Sequence, residues 1–261
     1  MNDSVLYAVS DGIATLTFNR PAVMNALDAG AIRAFRAACE RVETDAAARV
    51  VVLRGTGAAF IAGGDVGMFR ENLPAMPQLV PELAGELHRG ILALRRAPQP
   101  VIAAVHGAVA GAGMSIMLAC DLVLAASGTR FSMAYSRIGA SPDGGATWFL
   151  PHLAGHQKAM EWLLLAESMD EDALLRLGIV NRVVPVDQFE AEVLKLAARL
   201  AAGPAHAYAE TKALVNRALQ QGLSAHLDAE ALAFARCAAT ADFAEGVTAF
   251  ADRRTPRFQG R

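Results

Sequence analysis

The chain has 261 residues, 54% hydrophobic, 6% aromatic and 19% charged, with 24 basic against 26 acidic side chains and a formal charge of −2. A chain of this length buries a sizeable core as one soluble globular unit with a smaller appendage. Its balanced charge excludes a general attraction to DNA, RNA or anionic lipid, so no nucleic-acid partner is expected. Cys39, Cys120 and Cys237 are widely spaced and form no CxxC pair. They read as reduced thiols, and the N-terminal residues lack the basic flank and apolar run of a signal peptide, so a cytoplasmic location is expected.

Val5 to Ala8 and Ile13 to Phe18 flank Asp11-Gly12 and predict a β-hairpin. Asp28 is placed to cap a helix over about 29–42, where Ile32, Phe35, Cys39 and Val42 recur at helical spacing. RVVVLR at 49–54 reads as a strand buried on both faces, followed by AAFIAGGDV, an apolar approach to a Gly pair and an acid. Three prolines between 74 and 81 predict an exposed loop over Leu73 to Pro81, with a helix over 82–96 after it. Val101 to Cys120 carries no formal charge for twenty residues, long enough for a membrane span. Its Ala and Gly content, His106 and Ser115, and the preceding Pro100 fit a buried strand, a glycine turn and a buried helix better. A strand from Leu122 follows. From Asp143 the pattern becomes helical, broken only by a short strand in IVNRVV. The whole predicts an α/β core over 1–203 and a helical region over 204–261 that packs on the core or on another subunit.

Familiar chemistry is thin. The six histidines are scattered and no HExxH or Asp-rich loop occurs, so no metal site is expected. GAVAGAGMS matches a dinucleotide fingerprint only in part, and no Gly-Lys-Ser/Thr of a P-loop is present. Gly113-Met-Ser115 begins like a nucleophile elbow, but residue 117 is Met where Gly should permit the turn; His106 is a possible base but fits a strand-end histidine better. What remains is two strand-to-helix turns, Ala62-Gly63-Gly64-Asp65 and Ala110-Gly111-Ala112-Gly113, whose small residues allow close approach of backbone to a ligand. Side by side, their N–H groups would form an oxyanion hole.

Six segments, in order, resemble the crotonase (enoyl-CoA hydratase/isomerase) superfamily. They are RPAVMNALD, AAFIAGGDV, PVIAAVHGAVAGAGMSIMLACDLVLAA, FSMAYSRIGASPDGGATWFLPHLAG, the run ending LGIVNRVVP, and FAEGVTAFADRR. The resemblance implies a crotonase-like spiral of ββα turns with a C-terminal helical trimerisation region, forming homotrimers or dimers of trimers, and acyl-CoA thioester ligands. Coenzyme A would enter as part of the substrate, with no tightly bound cofactor and no membrane partner. The amides of Gly64 and Ala112 would hold the thioester oxygen, each worth about 3 kcal/mol in an enolate-like transition state. Met24, Ala26, Ala62, Asp65 and Val66 would line the CoA channel, with Asp65 alternatively a helix cap. Phe234, Phe250 and Arg253 would reach the nucleotide end, often from a neighbouring subunit. Met68, Phe69, Ser115, Tyr135 and Trp148 would shape the acyl pocket.

The chain departs from the hydratase pattern at the two glutamate positions, which hold Ser115 and Tyr135. Neither is a base at neutral pH. Asp143, in SPDGG, matches the acid/base aspartate of isomerases resembling the phenylacetate-pathway ring-epoxide isomerase; a plain N-cap is the competing reading. The expected activity is a double-bond shift in an unsaturated or ring-epoxide acyl-CoA. A hydratase with an unusual acid, a silent acyl-CoA-binding protein and a Ser115 thioester hydrolase are the rivals.

Overall fold

The structure, a computed structural model, describes residues 3–261. Strands β1 (Val5–Ser10) and β2 (Ile13–Phe18) pair antiparallel across Asp11 and Gly12, both at positive φ, the geometry a two-residue hairpin demands. Helix α1 (Ala29–Thr44) begins at Asp28, whose carboxylate accepts the Ala31 N–H at 2.7 Å. Strands β3 (Val50–Gly55) and β4 (Ala59–Ile61) lead to α2 (Val66–Glu71) and α3 (Met76–Arg96). Next come β5 (Val101–Val105), β6 (Ala108–Ala110), α4 (Ala112–Leu118), β7 (Leu122–Ala126) and β8 (Arg130–Ser132). Helices α5 (Ala146–Ala154) and α6 (His156–Leu165), strand β9 (Met169–Asp170), helix α7 (Glu171–Arg176) and strand β10 (Arg182–Val184) follow. Helices α8 (Phe189–Ala201), α9 (Ala205–Arg217), α10 (Leu223–Ala238) and α11 (Ala241–Ala251) finish the chain.

The strands form a six-stranded sheet in the order β1-β2-β3-β5-β7-β10 and a four-stranded sheet in the order β4-β6-β8-β9. Each pair β3/β4, β5/β6 and β7/β8 sends its first strand to the larger sheet and its second to the smaller, parallel to its predecessor. The chain therefore climbs a spiral of ββα turns, which brings the strand-to-helix turns after β4 and β6 into contact. The central strands carry unbroken apolar runs because both faces are covered. Val51, Leu53, Val101, Ala103 and Val105 lie in the same core cluster as α1 and α3, while Val52, Ile102, Leu124 and Val184 meet Phe189, Val193 and Leu196 of α8.

Two expectations need correction. Leu73 to Pro81 is not a loop: Leu73–Ala75 is a 3-10 turn and α3 already begins at Met76. Pro77 sits in the first turn, where no N–H is required, and Pro81 costs one internal bond. Leu79, Leu83, Leu87, Ile91 and Leu94 packing on the core holds the extended helix together. The apolar stretch 101–120 also contains two strands before its helix, one for each sheet. Among the described residues no helix is long and apolar enough to cross a membrane, and no group of three His, Cys, Asp or Glu is placed to hold a metal.

No strand follows Val184 among the described residues. Helix α9 is latched to the core by Lys212, whose ammonium donates to the carbonyls of Leu94 (2.9 Å) and Gln99 (3.0 Å) and pairs with Asp121 at 2.9 Å. Asn216 adds a bond from Nδ2 to the Arg95 carbonyl at 2.9 Å.

Candidate active site

The first turn is stitched to the segment before α1. Ala62 N–H donates to Met24 O at 3.0 Å, Leu27 N–H to Gly63 O at 2.8 Å and Asp65 N–H to Leu27 O at 3.0 Å. This parallel bridge between Leu27 and Gly64 uses the groups on either side of Gly64 and leaves its own N–H directed away from Leu27. No described residue accepts that N–H. Gly63 lies at φ +104°, where a side chain would be strained, and a Cβ on Gly64 would stand 2.6 Å from Cζ of Phe69. Phe69 therefore roofs Gly64.

At the second turn Gly111 N–H donates to Ser132 O at 3.0 Å, and Ala112 opens α4 ahead of the first intrahelical bond. The Ala112 N–H likewise has no acceptor among the described residues. The two turns touch: a Cβ on Gly111 would lie 3.6 Å from Gly63 Cα, and one on Gly63 would lie 3.3 Å from Ala110 O. Gly113 backs directly on Ile61, whose carbonyl is 2.3 Å from the Cβ position. Small residues are required here because backbone meets backbone.

Asp143 is joined to this region through α4. Ser115, fully buried one turn after Ala112, donates from Oγ to the Asp143 carbonyl at 2.9 Å and lies 3.0 Å from the Tyr135 hydroxyl. Tyr135 donates to Asp143 Oδ1 at 2.7 Å. Burial, together with the adjacent carboxylate, pushes the Tyr135 phenol far above its ordinary range, so it stays a neutral donor. Asp143 is not a helix cap: Gly145 occupies the N-cap of α5. His88, absent from the sequence-level candidates, accepts the Gly144 N–H on Nε2 at 3.2 Å. One turn along α3, Ile91 approaches the same glycine. No local pattern announces His88, since 55 residues separate it from Asp143.

Ser115 has no imidazole partner, and His106 bonds the Gly57 carbonyl at 2.9 Å, so neither forms part of a hydrolytic dyad. Asp65 caps α2 through Met68 N–H at 3.2 Å and pairs with Arg20 at 3.2 Å. Arg20, also missed, ties Asp65 to Asp28 at 2.9 Å and to the Ala26 carbonyl. Buried Asn25 braces the same segment on the Ala59 carbonyl at 2.8 Å. Met24 and Val66 are exposed beside these turns, and Met68 packs partly on the core. Trp148 meets Phe149 and His152 edge-on or tilted, at 4.9 and 4.8 Å between ring centres.

Phe234, Phe250 and Arg253 are not joined to this cluster within one chain. Phe234 packs edge-on to Phe243, Phe250 is 88% exposed, and Arg253 bonds the Phe250 carbonyl through its own N–H. Clefts of about 780 and 380 Å³ lie among residues of α9 to α11 and the terminal segment, away from the paired turns.

Comparison with known proteins agrees with the spiral fold. The family described as enoyl-CoA hydratase/isomerase matches residues 8–261. The chain belongs to the enoyl-CoA hydratase/isomerase family. It is 39% identical to a probable enoyl-CoA hydratase of Rhodobacter capsulatus over 99% of this chain and 98% of that protein. It is 35% identical to the 1,2-epoxyphenylacetyl-CoA isomerase of Escherichia coli over the full length of both. The crystal structure of an enoyl-CoA hydratase from a Polaromonas species superposes with a TM-score of 0.93 at 36% identity, covering 98% of this chain and 99% of that one. Enoyl-CoA hydratase/isomerase membership makes this chain an enzyme of the crotonase superfamily acting on CoA thioesters.

Proposed function

We propose that this enzyme is an acyl-CoA isomerase that moves a double bond in a 3-enoyl-CoA, or acts on a related unsaturated or ring-epoxide thioester. The observation that carries the reading is the combination of two unaccepted N–H groups on touching turns with Asp143, whose main-chain carbonyl accepts from Ser115 of the helix that begins at the second turn and whose carboxylate accepts from Tyr135. Gly64 and Ala112 donate to the thioester oxygen, which lowers the cost of removing the adjacent carbon proton because charge develops where the donors point. Asp143 takes the proton from C2, the C3–C4 double bond shifts to C2–C3 through a dienolate, and the proton returns at C4. The thioester brings CoA with it, and the proposed steps call on no further cofactor.

Hydration is the competing reading, favoured by the name of the Rhodobacter capsulatus relative. It needs one group to activate water and another to deliver a proton. Ser115 and Tyr135 stand where the hydratase acids are expected, and both hydroxyls are engaged with Asp143. We further propose that the working unit is a homotrimer or a pair of trimers built through 204–261. In it Phe234, Phe250 and Arg253 would serve the nucleotide end of CoA bound to a neighbouring subunit, in keeping with their exposure and separation from the site in one chain.

The deciding experiment incubates wild type and Asp143→Asn with a 3-enoyl-CoA, a 2-enoyl-CoA and a saturated acyl-CoA and identifies the products. Double-bond migration that falls by about 10²- to 10⁴-fold in the variant supports the assignment. Migration of equal rate in the two proteins removes Asp143 from the mechanism, and water addition as the main reaction replaces isomerisation by hydration.

A further inference from the structure

The hydroxyl pair around Asp143 has a fixed proton count. Tyr135 and Ser115 own one hydroxyl hydrogen each, directed to Oδ1 at 2.7 Å and to the main-chain carbonyl of the same aspartate at 2.9 Å. Their oxygens stand 3.0 Å apart and close a small ring. Among the described residues nothing donates to Asp143 Oδ2. The carboxylate is therefore asymmetric: Tyr135 holds Oδ1, no described residue donates to Oδ2, and Ser115 holds the main chain of the same residue. Gly144 allows this closeness, since a Cβ there would lie 2.8 Å from Ser115 Cβ.

We infer that Tyr135 and Ser115 are positioning residues that make Asp143 a one-ended proton carrier, with Oδ1 pinned and Oδ2 alone exchanging the proton with substrate carbon. The inference rests on the proposed acid/base role of Asp143. A carboxyl free to rotate can take a proton on one oxygen and turn it to water before returning it. Here rotation about Cβ–Cγ breaks the Tyr135 bond, and Ser115 fixes the backbone that carries the side chain. In the forward step the C2–H bond breaks, an Oδ2–H bond forms and the electron pair enters the dienolate. In the return step Oδ2–H breaks, C4–H forms, and the carboxylate is regenerated. Tyr135 keeps its own proton throughout, consistent with a phenol held neutral by burial beside a carboxylate. The hydroxyls at 115 and 135 thus restrict where the proton goes, without themselves acting as acid or base.

The test uses the full-length enzyme with a 3-enoyl-CoA carrying deuterium at C2, in ordinary water, and measures kcat, KM and the fraction of label recovered at C4. Wild type is expected to transfer most of the label internally. In Tyr135→Phe the label recovered at C4 should fall several-fold as the proton escapes to solvent. Its kcat should drop about 10- to 100-fold with KM within about twofold, the range commanded by a lost hydrogen bond to a charged group. Ser115→Ala should move both quantities the same way but less, and the double variant should be no worse than Tyr135→Phe, because the two act through one aspartate. Unchanged label transfer and unchanged kcat in Tyr135→Phe overturn the inference. If that variant does not fold, unchanged label transfer in folded Ser115→Ala does so. An active Asp143→Asn overturns the acid/base reading itself, which keeps the two failures apart.

Discussion

The spiral core and the helices after residue 204 use the same kinds of apolar side chains to opposite ends. In the core, Phe18, Phe35, Phe60 and Phe131 are sealed, and glycines such as Gly107 and Gly113 sit where backbone presses on backbone. In the C-terminal helices Leu219, Leu223, Leu232, Phe234 and Phe250 face outward, and the main connection to the core is polar, through Lys212 and Asn216. One region has found its partners within the chain; the other leaves apolar side chains exposed, which a second copy would cover in the assembly proposed above.

That contrast can be broken most severely at Gly107. It lies at φ +60°, and a Cβ would stand 1.8 Å from the Ala58 carbonyl oxygen. Gly107→Ala should cost at least about 3 kcal/mol, read by urea unfolding, because the neighbour is backbone and cannot turn aside. Lys212→Met is expected to cost about 2–3 kcal/mol by the same measurement. It leaves Asp121 part-buried with only the Val101 N–H at 2.8 Å and a distant Arg95 to compensate. An unchanged unfolding midpoint would show that the latch is ornamental and that α9 is held by packing alone.

On the outward-facing side, Phe250→Ser should leave the circular dichroism of the chain intact. It should weaken association by about tenfold or more, since a buried aromatic ring contributes about 2 kcal/mol at an interface. Sedimentation that shows the same mass for wild type and variant would count against a covered face. The smallest effect belongs to Glu245, where the paired Arg254 and the Arg257 N–H hold the carboxyl at about 2, below its ordinary 4.5. A depressed carboxylate stabilises above its unfolded value and loses that contribution as pH falls. The stability difference between wild type and Glu245→Gln should therefore be present at pH 6 and shrink from about 4.5 toward about 2.

The hairpin at Asp11-Gly12, the Asp28 cap and the buried runs at 50–55 and 101–105 were legible because each depends on near neighbours in sequence. The paired glycine turns were legible as small-residue turns for the same reason. Pro81 misled because its local cost is real, yet the apolar stripe of α3 overrides it through packing. His88 and the link from Arg20 to Asp65 were invisible, since each joins residues tens of positions apart.

The amino-acid order by itself determined an α/β chain, the two turns built of small residues and the absence of glutamate at 115 and 135, because these follow from periodicity, turn stereochemistry and residue identity; the spiral entered only through the family resemblance. The tertiary structure alone decided that Gly63 and Gly111 touch, that Asp143 leaves its helix uncapped to meet Tyr135, and that Ser115 lies buried against both. Such contacts arise where distant segments are folded onto the same space, and no short-range rule encodes them.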